Sequence, residues 1–407
     1  MATHPSQQLT LLALGLAALA ILALAIYVLY RSNRPRLTVV PARRPRVAGA
    51  HVRAVVSERP APRRRVLGTT IALALLLCVF AGKYLVRASH PSGDGAPDLS
   101  PAKLTMVRGA SGAQLSVAHY GAPEGQGPTL LFTHGWGADR RDWLYAIRDL
   151  PPGLSVVAWD LPGLGESSRP ANDDYSMSTL ARDLDSVLSS LGDRPVILVG
   201  HSIGGILNLE YARQFPAKLG SSVRGIVQAN TTFTNPVETK KNAELSRKLQ
   251  EPVFRPLLHL IAWTAPIART VGWLAYQSGL AHLQLASQSF AGAQTWEQLD
   301  EMARYAYRSS PAVVSRGVLA MLDWDGSSVL PQITVPTLII SGDQDVTTLP
   351  WASDKMAHDI RSSQRVAVSP AAHLGPVEQH KRYADAIASF AARAGGPAST
   401  TLASRLE

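Results

Sequence analysis

Gly200-His201-Ser202-Ile203-Gly204 is the stretch that decides how this chain is read. Upstream, Pro195-Val196-Ile197-Leu198-Val199 is a short apolar run, rich in β-branched residues, of the kind that forms a buried strand. Downstream, Gly205-Ile206-Leu207-Asn208-Leu209-Glu210-Tyr211-Ala212 reads as the first turns of a helix. G-x-S-x-G is a weak pattern by itself. Between a strand and a helix, it describes a turn so tight that glycines are needed on either side, with the serine hydroxyl pushed out above the sheet edge. Ser202 is therefore the candidate nucleophile.

Working outward, strand-like and helix-like segments alternate from about residue 103. Residues 114–120, 129–133, 155–159 and 223–227 read as short strands, and 180–191 has helical spacing. From 233 to 330 the alternation stops in a helical, apolar stretch carrying Trp263, Trp273, Tyr276, Phe290 and Trp296. It resumes at 337–340 and 365–368 and ends in a helix from about 377 to 392. This pattern predicts an α/β fold, a mostly parallel sheet flanked by helices with one helical insertion.

A serine hydroxyl becomes a nucleophile when a base takes its proton and an acid orients that base. On such a sheet the partners follow in the order serine, acid, histidine, each just past a strand end. After residues 337–340 come Asp343 and Asp345, which compete for the acid's place in a Gly- and Asp-rich turn. Of the eleven histidines, His373 alone lies in a loop after the last strand and before the last helix. Donors for a developing oxyanion are expected from the backbone N–H of Ile203, next after the serine, and from that of Trp136 in the glycine-rich His134-Gly135-Trp136-Gly137. His134 is read as a structural hydrogen-bonding residue.

Residues 105–392, about 70% of the chain, resemble the α/β-hydrolase superfamily with a helical cap. His134-Gly135-Trp136-Gly137 looks like its oxyanion motif. Asp160-Leu161-Pro162-Gly163-Leu164-Gly165-Glu166-Ser167 looks like its D-x-x-G-x-G-x-S turn, followed by the elbow, Gly342-Asp343-Gln344-Asp345 and His373. The resemblance implies Asp345 as the acid, because the family's acid closes G-x-x-D. It disfavours an acid after the preceding strand, where Ala229-Asn230-Thr231-Thr232 has no carboxylate, and leaves Asp160 and Ser167 as residues that hold their turn. Serine at the elbow sets the chain apart from the similar epoxide hydrolases and haloalkane dehalogenases, which carry aspartate there. The triad implied is Ser202, Asp345 and His373.

The net charge of +10 does not point to nucleic acid once it is located. Residues 31–65 hold eleven arginines, no lysine and one acid, Glu58, and so carry the whole excess. This segment lies between two apolar runs. Residues 9–30 are uncharged and, at about 33 Å as a helix, long enough to cross a bilayer; residues 66–86 are interrupted only by Lys83, which can snorkel. The expectation is a membrane anchor over residues 1–87, with helices at about 9–30 and 66–86 and an Arg-rich loop over 31–65. By the positive-inside rule that loop is cytoplasmic and the rest of the chain lies on the outer face. Its five prolines argue against a folded domain there. Residues 88–102 read as a flexible tether, 103–394 as the hydrolase domain with a cap at about 233–330, and 395–407 as a disordered tail. The single cysteine, Cys78, excludes an intrachain disulfide and reads as a buried small hydrophobe.

The reading is of a membrane-anchored serine esterase or lipase-like hydrolase acting on a small-molecule ester, a lipid-like ester being one candidate. No metal or organic cofactor is expected. Trp263, Trp273 and Tyr276 are expected to form a hydrophobic lid that favours an apolar acyl or alkyl group. The same triad also serves C–C bond hydrolysis, perhydrolysis and acyl transfer. A non-catalytic ligand-binding protein is the reading from another class.

Overall fold

The computed structural model describes residues 27–31, 36–40, 54–58, 62–93, 95, 97–121 and 127–394. The chain divides into two compact units, residues 3–89 with 277–280, and residues 90–276 with 281–407.

In the first unit, β1 (Arg36–Val40) pairs antiparallel with β2 (Ala54–Glu58), and α1 (Pro62–Ala88) is a helix of 27 residues. The Arg-rich segment thus contains a strand pair and the start of a helix, where sequence suggested neither. The reason is local. Leu37-Thr38-Val39-Val40 and Val55-Val56 are strand-prone runs with no proline inside them. Most of the first apolar run, residues 9–26, lies outside the described residues, as do the tail 395–407 and the side chain of Cys78. Among the described residues no helix is long and apolar enough to cross a membrane.

The second unit is built on an eight-stranded sheet of order β10-β9-β8-β7-β5-β6-β4-β3. Its strands are β3 (Lys103–Arg108), β4 (Gln114–Gly121), β5 (Thr129–Thr133), β6 (Ser155–Trp159), β7 (Val196–His201), β8 (Val223–Ala229), β9 (Thr337–Gly342) and β10 (Ser363–Val368). From β6 to β10 neighbours run parallel; β4 is antiparallel to both β3 and β6. Successive side chains of a strand point to opposite faces, and the central strands are apolar on both. Leu131, Leu198, Ile226 and Ile339 belong to one buried layer; Leu130, Phe132, Ile197, Val199, Val227, Leu338 and Ile340 belong to the other. Helices α2 (Met177–Ser190), α3 (Ile203–Gln214) and α9 (Pro350–Asp359) cover the first layer, and α10 (His380–Ala394) covers the second. α2 shows how sequence builds such a cover. Ser176 caps it by accepting the Thr179 N–H, and Leu180, Leu184, Val187 and Leu188 recur at helical spacing on its buried face.

Between β8 and β9 the chain is helical, and its main elements are α4 (Arg255–Trp263), α5 (Ala265–Gln277), α6 (Leu280–Gln288), α7 (Trp296–Ala303) and α8 (Pro311–Leu322). The three aromatics expected as one lid surface do not share an environment. Trp263 is 82% exposed, Trp273 is half-exposed, and Tyr276 is buried with its hydroxyl donating to Asp300 Oδ1 at 2.9 Å. The break at Thr264 puts Trp263 on α4, apart from Trp273 and Tyr276 on α5. Residues 90–102, read as a tether, are tied to their own unit. Trp296 N donates to Pro91 O, Gly93 N to Glu297 Oε2, and Ala102 N to His119 O.

The tightest point of the sheet is where α3 leaves β7. A Cβ on Gly204 would lie 2.4 Å from the Thr133 carbonyl oxygen of β5, which is backbone and cannot swing aside. Gly204→Val should therefore lower stability by about 1–3 kcal/mol, read as a reduced urea midpoint at unchanged slope. An unchanged midpoint would show that the elbow has slack.

Candidate active site

Ser202 stands between β7 and α3 with φ 52° and ψ −117°, a positive φ on a non-glycine residue. Such a conformation persists only where the surroundings impose it. Here Ser202 N donates to Ala229 O at 3.1 Å, and the Thr231 hydroxyl donates to Ser202 O at 2.6 Å. The elbow is thereby sewn to the end of the neighbouring strand β8.

Three loops from the carboxyl ends of β7, β9 and β10 meet. His373 Nε2 lies 3.2 Å from Ser202 Oγ, and His373 Nδ1 lies 2.9 Å from Asp345 Oδ2. Asp345 is buried and fully used. Its Oδ1 accepts the N–H groups of Thr347 and Thr348 at 2.8 and 2.9 Å, and its Oδ2 also accepts the Thr348 hydroxyl at 2.7 Å. Burial pushes this carboxyl up, but His373 and Thr348 outweigh it and hold it below the usual carboxylate range. The competing Asp343 turns elsewhere, accepting Ser369 Oγ at 2.8 Å and Ala371 N at 3.1 Å, and so braces the loop that carries His373.

Of the two oxyanion candidates, Ile203 is the first residue of α3, where an N–H has no intrahelical carbonyl to meet. Trp136 follows β5, and its indole N–H donates to Val314 O of α8 at 2.9 Å, tying this loop to the cap. His134 is fully buried, with Nδ1 on Gly135 O at 2.8 Å and Nε2 accepting Leu161 N at 3.0 Å. Both nitrogens are spent on structure. Asp160 and Ser167 likewise hold their turn. Ser167 Oγ donates to Asp160 O at 2.6 Å, and Asp160 accepts Glu166 N and pairs with Arg140.

Sequence reasoning passed over three residues of this site. Asn230, at φ 44°, donates to Asp345 Oδ2 at 3.2 Å and to Ala372 O at 2.7 Å, and accepts from the Tyr383 hydroxyl. It joins the acid to the histidine loop. An asparagine directly after a strand was the available signal, since asparagine tolerates positive φ. The other two, His201 and Asp142, lie behind the serine and form a buried pair at 2.7 Å.

This arrangement is a base poised on a hydroxyl and oriented by a buried carboxylate. A family profile described as alpha/beta hydrolase fold matches residues 128–379. The chain belongs to that family. It is an enzyme of the hydrolase class. Proline iminopeptidase of Saccharolobus solfataricus is 25% identical to it, over 66% of this chain and 86% of that protein. Monoacylglycerol lipase ABHD6 of Mus musculus is 25% identical, over 66% and 76%. Among solved structures, a thermophilic esterase from Thermogutta terrifontis matches with a TM-score of 0.58 at 22% identity, covering 72% of this chain and all of that one. A membrane phospholipase A, described as a bacterial virulence factor, matches with a TM-score of 0.58 at 21% identity, covering 82% of this chain and all of its own. At these identities the structural likeness is one of fold.

The two aspartates separate by experiment. Asp345→Asn should lower kcat by about 10³- to 10⁴-fold, whereas Asp343→Asn should stay within about tenfold of the parent. Because the Asp345 pKa is depressed on folding, its stabilisation is present above the unfolded value near 3.9 and is lost as pH falls through the folded one. The urea stability gap between parent and Asp345→Asn should therefore shrink between about pH 7 and pH 3. A constant gap would mean that Asp345 is not held as the carboxylate.

Proposed function

We propose that the chain is a membrane-anchored serine hydrolase that cleaves carboxylic esters with an apolar acyl or alkyl group through an acyl-enzyme on Ser202. The observation that carries the proposal is the unbroken series from Ser202 Oγ through His373 to Asp345. His373 Nε2 takes the hydroxyl proton as Ser202 Oγ bonds to the ester carbonyl carbon, and the buried Asp345 stabilises the imidazolium that forms. The N–H groups of Ile203 and Trp136 receive the oxyanion. His373 then returns the proton to the departing alkoxide, and water repeats the sequence to release the acid.

Several observations support an apolar substrate. α4 and α5 leave Leu257, Leu260, Trp263, Ile267 and Val271 exposed. The cap also bears a groove of about 680 Å³, lined by Pro266, Trp273, Tyr307 and Pro311 together with Arg169 and Arg269. One relative named above is a monoacylglycerol lipase, and the match to a membrane phospholipase A extends over more of this chain than the match to the esterase. The anchor and the outer-face placement rest on the two apolar runs 9–30 and 66–86, read as crossing on either side of the arginines between them.

A fluorophosphonate probe should label the parent protein and not Ser202→Ala, and chromogenic esters should be turned over faster as the acyl chain lengthens from two to about eight carbons. Folded protein without serine-dependent turnover would overturn the esterase reading. A short-chain preference would overturn its lipid-like part. For the placement, protease added outside intact cells should release a fragment beginning within residues 88–102; complete protection would reverse the orientation.

A further inference from the structure

Directly behind Ser202 lies a second histidine–carboxylate pair. His201 and Asp142 are 2% and 1% exposed. His201 Nδ1 is 2.7 Å from Asp142 Oδ2, and His201 Nε2 is 2.9 Å from the backbone carbonyl oxygen of His373. Asp142 Oδ2 also accepts the Gly135 N–H at 3.0 Å. A carbonyl oxygen can only accept, and an ionised carboxylate can only accept. A neutral imidazole has one N–H, so it would turn a lone pair toward one of these two oxygens inside the buried core.

We infer that His201 is a doubly protonated imidazolium at neutral pH, locked to Asp142, and that this ion pair positions the three loops that carry the reacting groups. His201 grips the backbone of the base, and Asp142 grips the residue before Trp136. The nucleophile follows His201 directly, so one buried pair sets the relative places of the oxyanion loop, the elbow and the histidine loop. Because the pair is neutral as a whole, it can make a charge-assisted bond to the His373 carbonyl without opposing positive charge on the His373 ring, 5.1 Å away.

The surroundings agree with the charge. The groups facing the pair are Asp142 itself, His373 and Asp345 from the two neighbouring loops, His134 from the oxyanion loop and Tyr305 from the cap. His134 is spent as a neutral donor and acceptor, and Trp143 presents an edge-on ring to His201. Two carboxylates therefore act on His201. Burial opposes its charge, Asp142 outweighs burial, and the imidazole titrates above its ordinary range.

His201 is on this account a positioning residue. Its effect on rate rests on the serine-hydrolase reading, but its protonation does not, and the test keeps the two apart. Full-length protein labelled with ¹⁵N at histidine is examined by long-range ¹H–¹⁵N correlation at about pH 8, where an unperturbed imidazole is neutral. One ring should retain protons on both nitrogens, and its signal should vanish in His201→Gln. A His201 ring with one bare nitrogen at that pH overturns the inference, whether or not the protein hydrolyses esters. In Asp142→Asn the second proton should be lost by the same pH, and kcat should fall about 10- to 100-fold with KM within about threefold. Folded Asp142→Asn with unchanged kcat overturns the positioning role. If that variant does not fold, the spectrum of the parent protein still decides the protonation state.

Discussion

The crossing of α3 over β5 is the constraint on which the second unit depends. Gly204 rests against the Thr133 carbonyl, and on Gly200 a Cβ would lie 2.3 Å from the carbonyl group of Gly204. This backbone-on-backbone contact allows the helix to start within one residue of the strand, which forces Ser202 into its positive φ. Once the elbow is that tight, the serine hydroxyl stands at the carboxyl edge of the sheet, the place where loops from the parallel strands must also emerge. The base and acid need travel no distance through the core. They arrive on β10 and β9, the two outermost strands on that side of the sheet.

Those loops are fixed by polar atoms more than by packing. Each turn at the edge is gathered by a buried carboxylate: Asp160 for the turn after β6, Asp142 for the oxyanion loop, Asp345 for the acid turn. A buried carboxylate is costly unless its lone pairs are met, and here they are met by backbone N–H groups of the turn being held. The same bonds that make the carboxylates tolerable give each loop one conformation. The one atom left over, Asp142 Oδ1, is buried without a partner among the described residues. The donors that reach Asp142, the Gly135 N–H and His201 Nδ1, both fall on Oδ2.

How much of this was legible in the sequence follows from the kind of interaction involved. The elbow, the order of strands and helices, and the residues that meet at Ser202 could be read because they are set by local rules, strand period and turn chemistry. Asn230 and Asp142 were not, because each acts through space on a partner more than fifty residues away; the position of Asn230 after a strand marks its backbone but not that partner. His201 sat within the motif and was given no role of its own. β3 was not singled out as a strand because it lies at the sheet edge with Leu104 and Met106 exposed, so its alternation does not separate inside from outside. The relative placement of the lid aromatics was not legible for the opposite reason. They have helical spacing, but the helix is interrupted at Thr264, and spacing across a break says nothing about faces.

The cap and the base are a single mechanical problem. Glu378, buried just before α10, accepts the N–H groups of Ala291 and Ala293 from the cap, and that of Ala372 at 3.4 Å, next to His373. On the other side of the base, Leu374 N donates to Ser289 O at 2.8 Å. Burial raises the Glu378 pKa even though these N–H groups favour its charge, so the clip is held against a desolvation cost. The cap segment 289–293 is thus bonded to both neighbours of His373 and cannot swing without disturbing the base. Any opening of the cap must come from elsewhere in it. α4 and α5 are the part that fits, since their outward apolar faces are already exposed.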